Sequence, residues 1–221
     1  APMSDNNLWK YKFTWNPRNV ITAGQGSPAK FIERGKYKYV PYYRLFDNTE
    51  TINIDEMGEF EVYPNRDSLK YRELYNLGDI KTMKRGTIRK VGFSKSWNML
   101  IKLGLTDDSY RITNSKNMSA REFTNYFLPY DPNKSVEKKI QKELNIKSFN
   151  DEMNKLKAIY LFDDKKKIMT DNGTPAEILE EILKDAWKLE KNDRDMIIMY
   201  HEFKYRNGNK INKTTSTMVC I

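Results

Sequence analysis

The hydrophobic period of this chain changes twice, and that change limits the folds open to it. Near the start, "WKYKFTW" sets Trp9, Tyr11, Phe13 and Trp15 against Lys10, Lys12 and Thr14, the period of two expected of a half-buried strand. "NPRN" interrupts the pattern at Pro17. "KFIERGKYKYV" reads as two strands turned at Arg34-Gly35, and "EFEVY" and "TMKRGTIRKV" are further strand candidates.

From about Ser94 the period becomes helical. "SKSWNMLIKLG" places Trp97, Leu100, Ile101 and Leu103 on one face and Gly104 at the stop. Ser119 with Glu122 and Thr174 with Glu177 form capping boxes, the second followed by Pro175 at the first helical position. Ser148 with Asp151 is a looser version of the same signal. Val136, Ile140 and Leu144 recur at every fourth position, so the block holds about five helices. Then β returns: "DMIIMYHEFKY" and "KINKTTSTMVCI" flank Asn207-Gly208, a strong hairpin signal. The order β, helical, β predicts an α+β fold, a mixed β-sheet domain with an inserted all-helical subdomain. Its expected boundaries are 1–92, 93–190 and a returning hairpin at 191–221. The apolar ending "TSTMVCI" suggests that the chain is a piece of something longer.

Composition narrows the chemistry. One cysteine, Cys220, and one histidine, His201, leave no disulfide framework and argue against zinc or a histidine-based triad. His201 itself reads as a satisfied structural histidine. No apolar run approaches the ~20 residues of a membrane span, and no secretion signal is visible, so a cytoplasmic protein without membrane contact is expected. The net charge of +9 suits anionic partners, but the lysines lie on many elements instead of one stripe, which argues against nucleic acid. There is no G-x-G-x-x-G and no P-loop; "TAGQGS" reads as a tight turn.

Two polar clusters stand out. "YPNRDS" sets Asn65, Arg66, Asp67 and Ser68 directly behind Pro64 at a strand end. Arg66 offers a planar fork for a carboxylate, Asp67 could hold that fork or meet an ammonium, and Asn65 and Ser68 could fix orientation. The same residues could instead cap the helix "SLKYRELY", through Asp67 or Ser68. "KRGTIRK" carries Arg85, Gly86, Thr87 and Arg89; Arg85 with Thr87 could bind an anion, and Gly86 would let a ligand come close. Trp15 is either a wall of a site or a core residue.

The stretches "YKFTWNPRNVITAGQGSPAKFIERGK", "YPNRDSLKYRELY", "KRGTIRKVGFSKSWNMLIKLGL" and "STMVCI" resemble the substrate and oligomerisation region of saccharopine reductases, the NADP-dependent, glutamate-forming saccharopine dehydrogenases. The helical block is similar mainly in pattern. The resemblance implies a domain like the C-terminal domain of glyceraldehyde-3-phosphate dehydrogenase, an N-terminal Rossmann domain outside this chain that holds NADP and the catalytic groups, and a chain end that crosses back into it. It implies saccharopine as substrate, bound here through Asn65, Arg66, Asp67, Ser68, Arg85, Thr87 and Trp15, a homodimer, and no turnover by this piece alone. The alternatives are a non-catalytic basic module (a nucleic-acid binder or a pseudo-enzyme) and a related dehydrogenase acting on another amino-acid or polyamine imine.

Overall fold

Met3 and residues 6–221 are described here in a computed structural model. The first expected strand does not form: residues 9–15 belong to no helix or strand. Trp9, Tyr11, Lys12 and Phe13 are all buried while Trp15 is exposed, so the alternation fails at Lys12. The cause is an ion pair. The Lys12 ammonium lies 2.6 Å from the Asp193 carboxylate, and both side chains are almost fully enclosed. Nearby, the Phe13 N–H donates to the Trp187 carbonyl at 3.0 Å. The segment is thus fastened to the chain around residues 187–193 and forms no strand ladder.

Pro17 starts a helix as well as ending the alternation. Helix α1 spans Pro17–Ile21, with the Asn16 side chain accepting from the Arg18 N–H. The "TAGQGS" turn follows, with Gly24 and Gly26 at positive φ. Strands β1 (Ala29–Glu33) and β2 (Lys36–Val40) pair antiparallel. Their turn residues Arg34 and Gly35 have φ of 49° and 79°, the double positive φ of a type I′ turn. A 3₁₀ turn at Tyr42–Asp47 leads to β3 (Glu50–Ile54) and β4 (Gly58–Pro64). A short α2 (Lys70–Leu74) precedes β5 (Gly86–Lys90), and the three strands form an antiparallel sheet in the order β3-β4-β5.

Five helices follow: α3 (Phe93–Lys102), α4 (Ala120–Asn125), α5 (Val136–Glu143), α6 (Asp151–Ala158) and α7 (Pro175–Ala186). Helix α3 has no capping side chain of its own. Glu61, reaching across from β4, accepts from the N–H groups of Gly92 and Ser94, where the helix dipole favours a carboxylate. Both expected capping boxes are complete, at Ser119–Glu122 and Thr174–Glu177. Helix α6 departs from expectation: Asn150 caps it, accepting from the Met153 N–H at 3.2 Å, and Ser148 does not. Asn150 stands three residues before Met153, the spacing at which a cap side chain meets a free N–H.

The chain closes with β6 (Ile197–Asn207) and β7 (Lys210–Cys220), an antiparallel pair of their own. Asn207 pairs with Lys210, so the two-residue loop is Gly208-Asn209, one residue later than the sequence suggests. Gly208 supplies the positive φ (58°) there. His201, expected to be a satisfied structural histidine, stands exposed in mid-strand with its ring 6.0 Å from that of Phe203. The fold is α+β. No helix among the described residues is long and apolar enough to cross a membrane.

One continuous core joins the N-terminal segment, β1 and the helices from α3 to α7. At its centre, Trp187 meets the rings of Trp9, Tyr11 and Phe13 edge to face, with centroids 5.1–5.2 Å apart. Phe93 and Trp97 of α3 stack at 5.6 Å beside it. A second, smaller core holds Ile54, Phe60 and Met196, flanked by Ile88, Ile198 and Tyr200, and seats the base of the hairpin on the three-stranded sheet. Replacing Lys12 by Met takes the Lys12 ammonium away from the buried Asp193 carboxylate. The expected loss is about 3–5 kcal/mol of stability, read from the midpoint of denaturant unfolding; an unchanged midpoint refutes it.

Candidate functional site

The "YPNRDS" segment is sewn to β1 by its backbone. The Lys30 N–H donates to the Arg66 carbonyl at 2.9 Å and the Ser68 N–H to the Lys30 carbonyl at 2.8 Å. Arg66 takes a left-handed φ of 48° to make the corner. Two of the four side chains are spent locally. Asp67 accepts from the Leu69 N–H at 2.8 Å and lies 3.5 Å from the Lys30 ammonium. Ser68 is buried and accepts from the Arg85 N–H at 2.9 Å, which ties the segment to the approach of β5. The other two face outward: Arg66 is exposed with no carboxylate partner among the described residues, and Asn65 is partly exposed.

The register of β5 fixes the second cluster. Tyr63 stands opposite Thr87, and Glu61 opposite Arg89. Directly opposed residues share a face, so Thr87 and Arg89 lie on the Tyr63 side, and alternation adds Arg85 to the row. The other side carries Phe60 and Ile88 and belongs to the hairpin core. The Arg85 guanidinium sits 4.3 Å from the Tyr71 ring of α2, toward the "YPNRDS" end. Gly86 lies tight against β4: a Cβ there would come within 2.2 Å of Val62 Cγ1 and 3.2 Å of the Tyr63 carbonyl oxygen.

Trp15 is 58% exposed, so core packing does not account for it. Its indole lies beside the Tyr11 phenol. Burial pushes the Tyr11 hydroxyl above its usual titration range, while the Arg89 guanidinium and the Trp15 indole pull it down. The Tyr42 hydroxyl is likewise raised by burial and donates to the Thr106 hydroxyl at 3.0 Å. These phenols therefore stay neutral donors and acceptors.

Asn65, Arg66, Arg85 and Thr87 thus lie along one end of the β4–β5 pair, with Asp67 and Ser68 bracing the backbone and Trp15 beside Tyr11 further along. Sequence reasoning gave Arg89 no role of its own, although it stands two residues from Thr87 in the same alternating row. That period-two spacing was the available signal. A face of arginines that have no carboxylate partners among the described residues suits carboxylate or phosphate groups.

The fold is that of one half of a dehydrogenase. The chain superposes on apo histidine-tagged saccharopine dehydrogenase (L-Glu forming) from Saccharomyces cerevisiae with a TM-score of 0.84 and 27% identity, over 100% of this chain and 50% of that one. Its sequence matches the saccharopine dehydrogenase C-terminal domain along residues 1–221, and the chain belongs to that family. Among its relatives are the saccharopine dehydrogenase [NADP(+), L-glutamate-forming] of Schizosaccharomyces pombe, 31% identical over 92% of this chain and 46% of the relative, and that of S. cerevisiae, 30% identical over 99% and 50%. The alpha-aminoadipic semialdehyde synthase of Arabidopsis thaliana is 28% identical over 99% of this chain and 22% of its own length. The chain therefore spans about half the length of the two yeast enzymes.

Gly86→Ala forces Val62 away from β5. We expect a loss of about 1–3 kcal/mol in thermal unfolding, whereas Gly58→Ala meets no atom within 4 Å and carries only the strain of its positive φ.

Proposed function

We propose that this chain is the substrate-binding and dimerising half of a saccharopine dehydrogenase that serves lysine metabolism, interconverting saccharopine with glutamate and aminoadipate semialdehyde. The observation that carries the reading is the set of arginines without carboxylate partners among the described residues, Arg66 and Arg85, on a domain of this family. Saccharopine has three carboxylates around a secondary amine. Its C–N bond is oxidised to an imine, and water then splits the imine. NADP, in the complete enzyme, accepts the hydride. This chain has no G-x-G-x-x-G or other phosphate cradle, so the NADP contacts and the proton-transfer groups are assigned to the half that the relatives have in addition.

The tasks left to this chain are binding and orientation. Arg66 and Arg85 present charge-assisted donors to carboxylates, Asn65 and Thr87 add neutral polar contacts, and Trp15 walls the approach. Asp67 and Ser68 act through the backbone by holding Arg66 and Arg85 in register. Fixing a flexible polyanion at two or more points turns its reacting carbon toward one place, which is the contribution of positioning to rate.

The hairpin supports the dimer. On one face, Ile197, Met199, Phe203, Tyr205 and Met218 are each 46–54% exposed. The register places them with His201, Asn212, Thr214, Ser216 and Cys220, so no Asp, Glu, Lys or Arg interrupts the face between Ile197 and Tyr205. Glu202, Lys204, Arg206 and Lys213 point the other way. A second copy meeting this uncharged apolar face about a two-fold axis buries it on both chains without like-charge repulsion.

The deciding experiment follows the absorbance of reduced cofactor in the protein as its gene encodes it, with L-saccharopine and NADP and then with NAD. Saccharopine-dependent reduction supports the reading; silence from a folded, NADP-binding protein ends it. In the active enzyme, Arg66→Ala is expected to raise KM about 10–100-fold, the value of one charge-assisted hydrogen bond. For the dimer, Phe203→Asp should halve the mass found by sedimentation equilibrium, and an unchanged mass excludes this face as the interface.

A further inference from the structure

We propose that the cleft walled by the 3₁₀ turn, α3 and the α5–α6 connection is a second ligand site, one that takes an α-amino acid with an apolar side chain. The cleft holds about 630 Å³, within the range of small-molecule sites. None of Asn65, Arg66, Arg85, Thr87 and Trp15 lines it, so it is separate from the arginine row of β5.

Its polar wall has one group left over. Asn98 of α3 is 5% exposed, and its amide N–H donates to Asp47 at 2.5 Å. Its Oδ1 is buried and has no hydrogen-bond partner among the described residues. Buried acceptors are nearly always matched by donors, so this one points to an N–H supplied from outside the chain. Asp47 itself has no close cation, since the Lys102 ammonium stands 3.9 Å away. A ligand ammonium beside Asp47 and Asn98 meets a carboxylate and a free acceptor together.

The other charges on the wall divide into committed and open ones. Glu61 is held by the N–H groups of Gly92 and Ser94, and Lys95 pairs with Glu152 at 2.5 Å. Lys102 makes only the loose contact with Asp47. Lys147, on the α5–α6 connection, has no ion pair or hydrogen bond among the described residues. Two open ammonium groups on one wall suit a carboxylate. Phe46, Met99, Leu144 and Ile146 also line the cleft, and all four belong to the main core or pack against it. A zwitterion answers the open acceptor and the open cations, and an aliphatic side chain covers the apolar wall. A simple anion leaves Asn98 Oδ1 unmet, and a simple amine leaves Lys102 and Lys147 unmet. Residues 145–150 belong to no helix or strand, so a ligand held by Lys147 and α3 at once ties this connection to the helix beside the sheet.

The test is titration calorimetry of L-leucine into the protein as its gene encodes it. Its two halves, 4-methylpentanoate and 3-methylbutylamine, serve as controls. L-leucine is expected to bind saturably and about tenfold or more tighter than either control. Lys147→Glu changes an exposed side chain and no buried one, and should weaken binding about 10–100-fold. Arg66→Ala should leave it unchanged. No saturable binding of L-leucine, equal binding of either control, or equal binding by Lys147→Glu overturns the site. Loss of binding in Arg66→Ala also overturns it, by placing the amino acid in the arginine row. Binding is read without turnover, so this site stands or falls separately from the proposed reaction.

Discussion

Trp187 is the ring on which the rest of the structure depends. It ends α7, and Trp9, Tyr11 and Phe13 meet it edge to face. Together with the Lys12–Asp193 pair and the Phe13 backbone hydrogen bond, those contacts hold the N-terminal segment, which has no ladder of its own, on the helices. Edge-to-face pairs add about 0.5–1.5 kcal/mol each beyond the area they bury, enough to offset the indole N–H of Trp187, which finds no hydrogen-bond partner among the described residues. The same cluster fixes Tyr11, and with it the aromatic face against which Arg89 rests. Core and candidate site are therefore built from one set of rings.

The three-stranded sheet divides the labour between its faces. One face, with Phe60 and Ile88, receives the hairpin; the other, with Tyr63, Thr87 and Arg89, meets the aromatic cluster. Glu61 links sheet to helix by capping α3 from across the strand. A shift of register by one residue would exchange the faces and place arginines in the hairpin core. The ties from Ser68 to the Arg85 N–H and from Lys30 to Arg66 and Ser68 hold that register at the site end.

Much of this was legible in the sequence, and the failures have physical causes. The Arg34-Gly35 turn, the capping boxes at Ser119 and Thr174 and the closing hairpin all rest on local chemistry, which a single sequence carries in full. The strand read into residues 9–15 failed because alternation records burial, not pairing. Lys12 turned inward to reach Asp193, 181 residues away, which no local pattern can show. Strand β3 escaped notice because only Ile52 and Ile54 mark it. At the site, the cluster "YPNRDS" was visible, but its division of labour was not. That Asp67 and Ser68 bind backbone while Arg66 stays open depends on where β1 and β5 lie in space.

The hairpin has a further consequence. Its strands are eleven residues each, so it reaches roughly 35 Å, with no third strand on either side among the described residues. Both outer edges present a row of backbone groups that any extended peptide could use as a template. Two-stranded ribbons are marginal in water by themselves. Lys204, Arg206, Lys210 and Lys213 crowd the far end with positive charge, the kind of guard that discourages indiscriminate strand addition. A ribbon of this length with open edges is the place where strands of other chains can add, so the edges of the hairpin, more than the folded core, carry the chain's liability to aggregate.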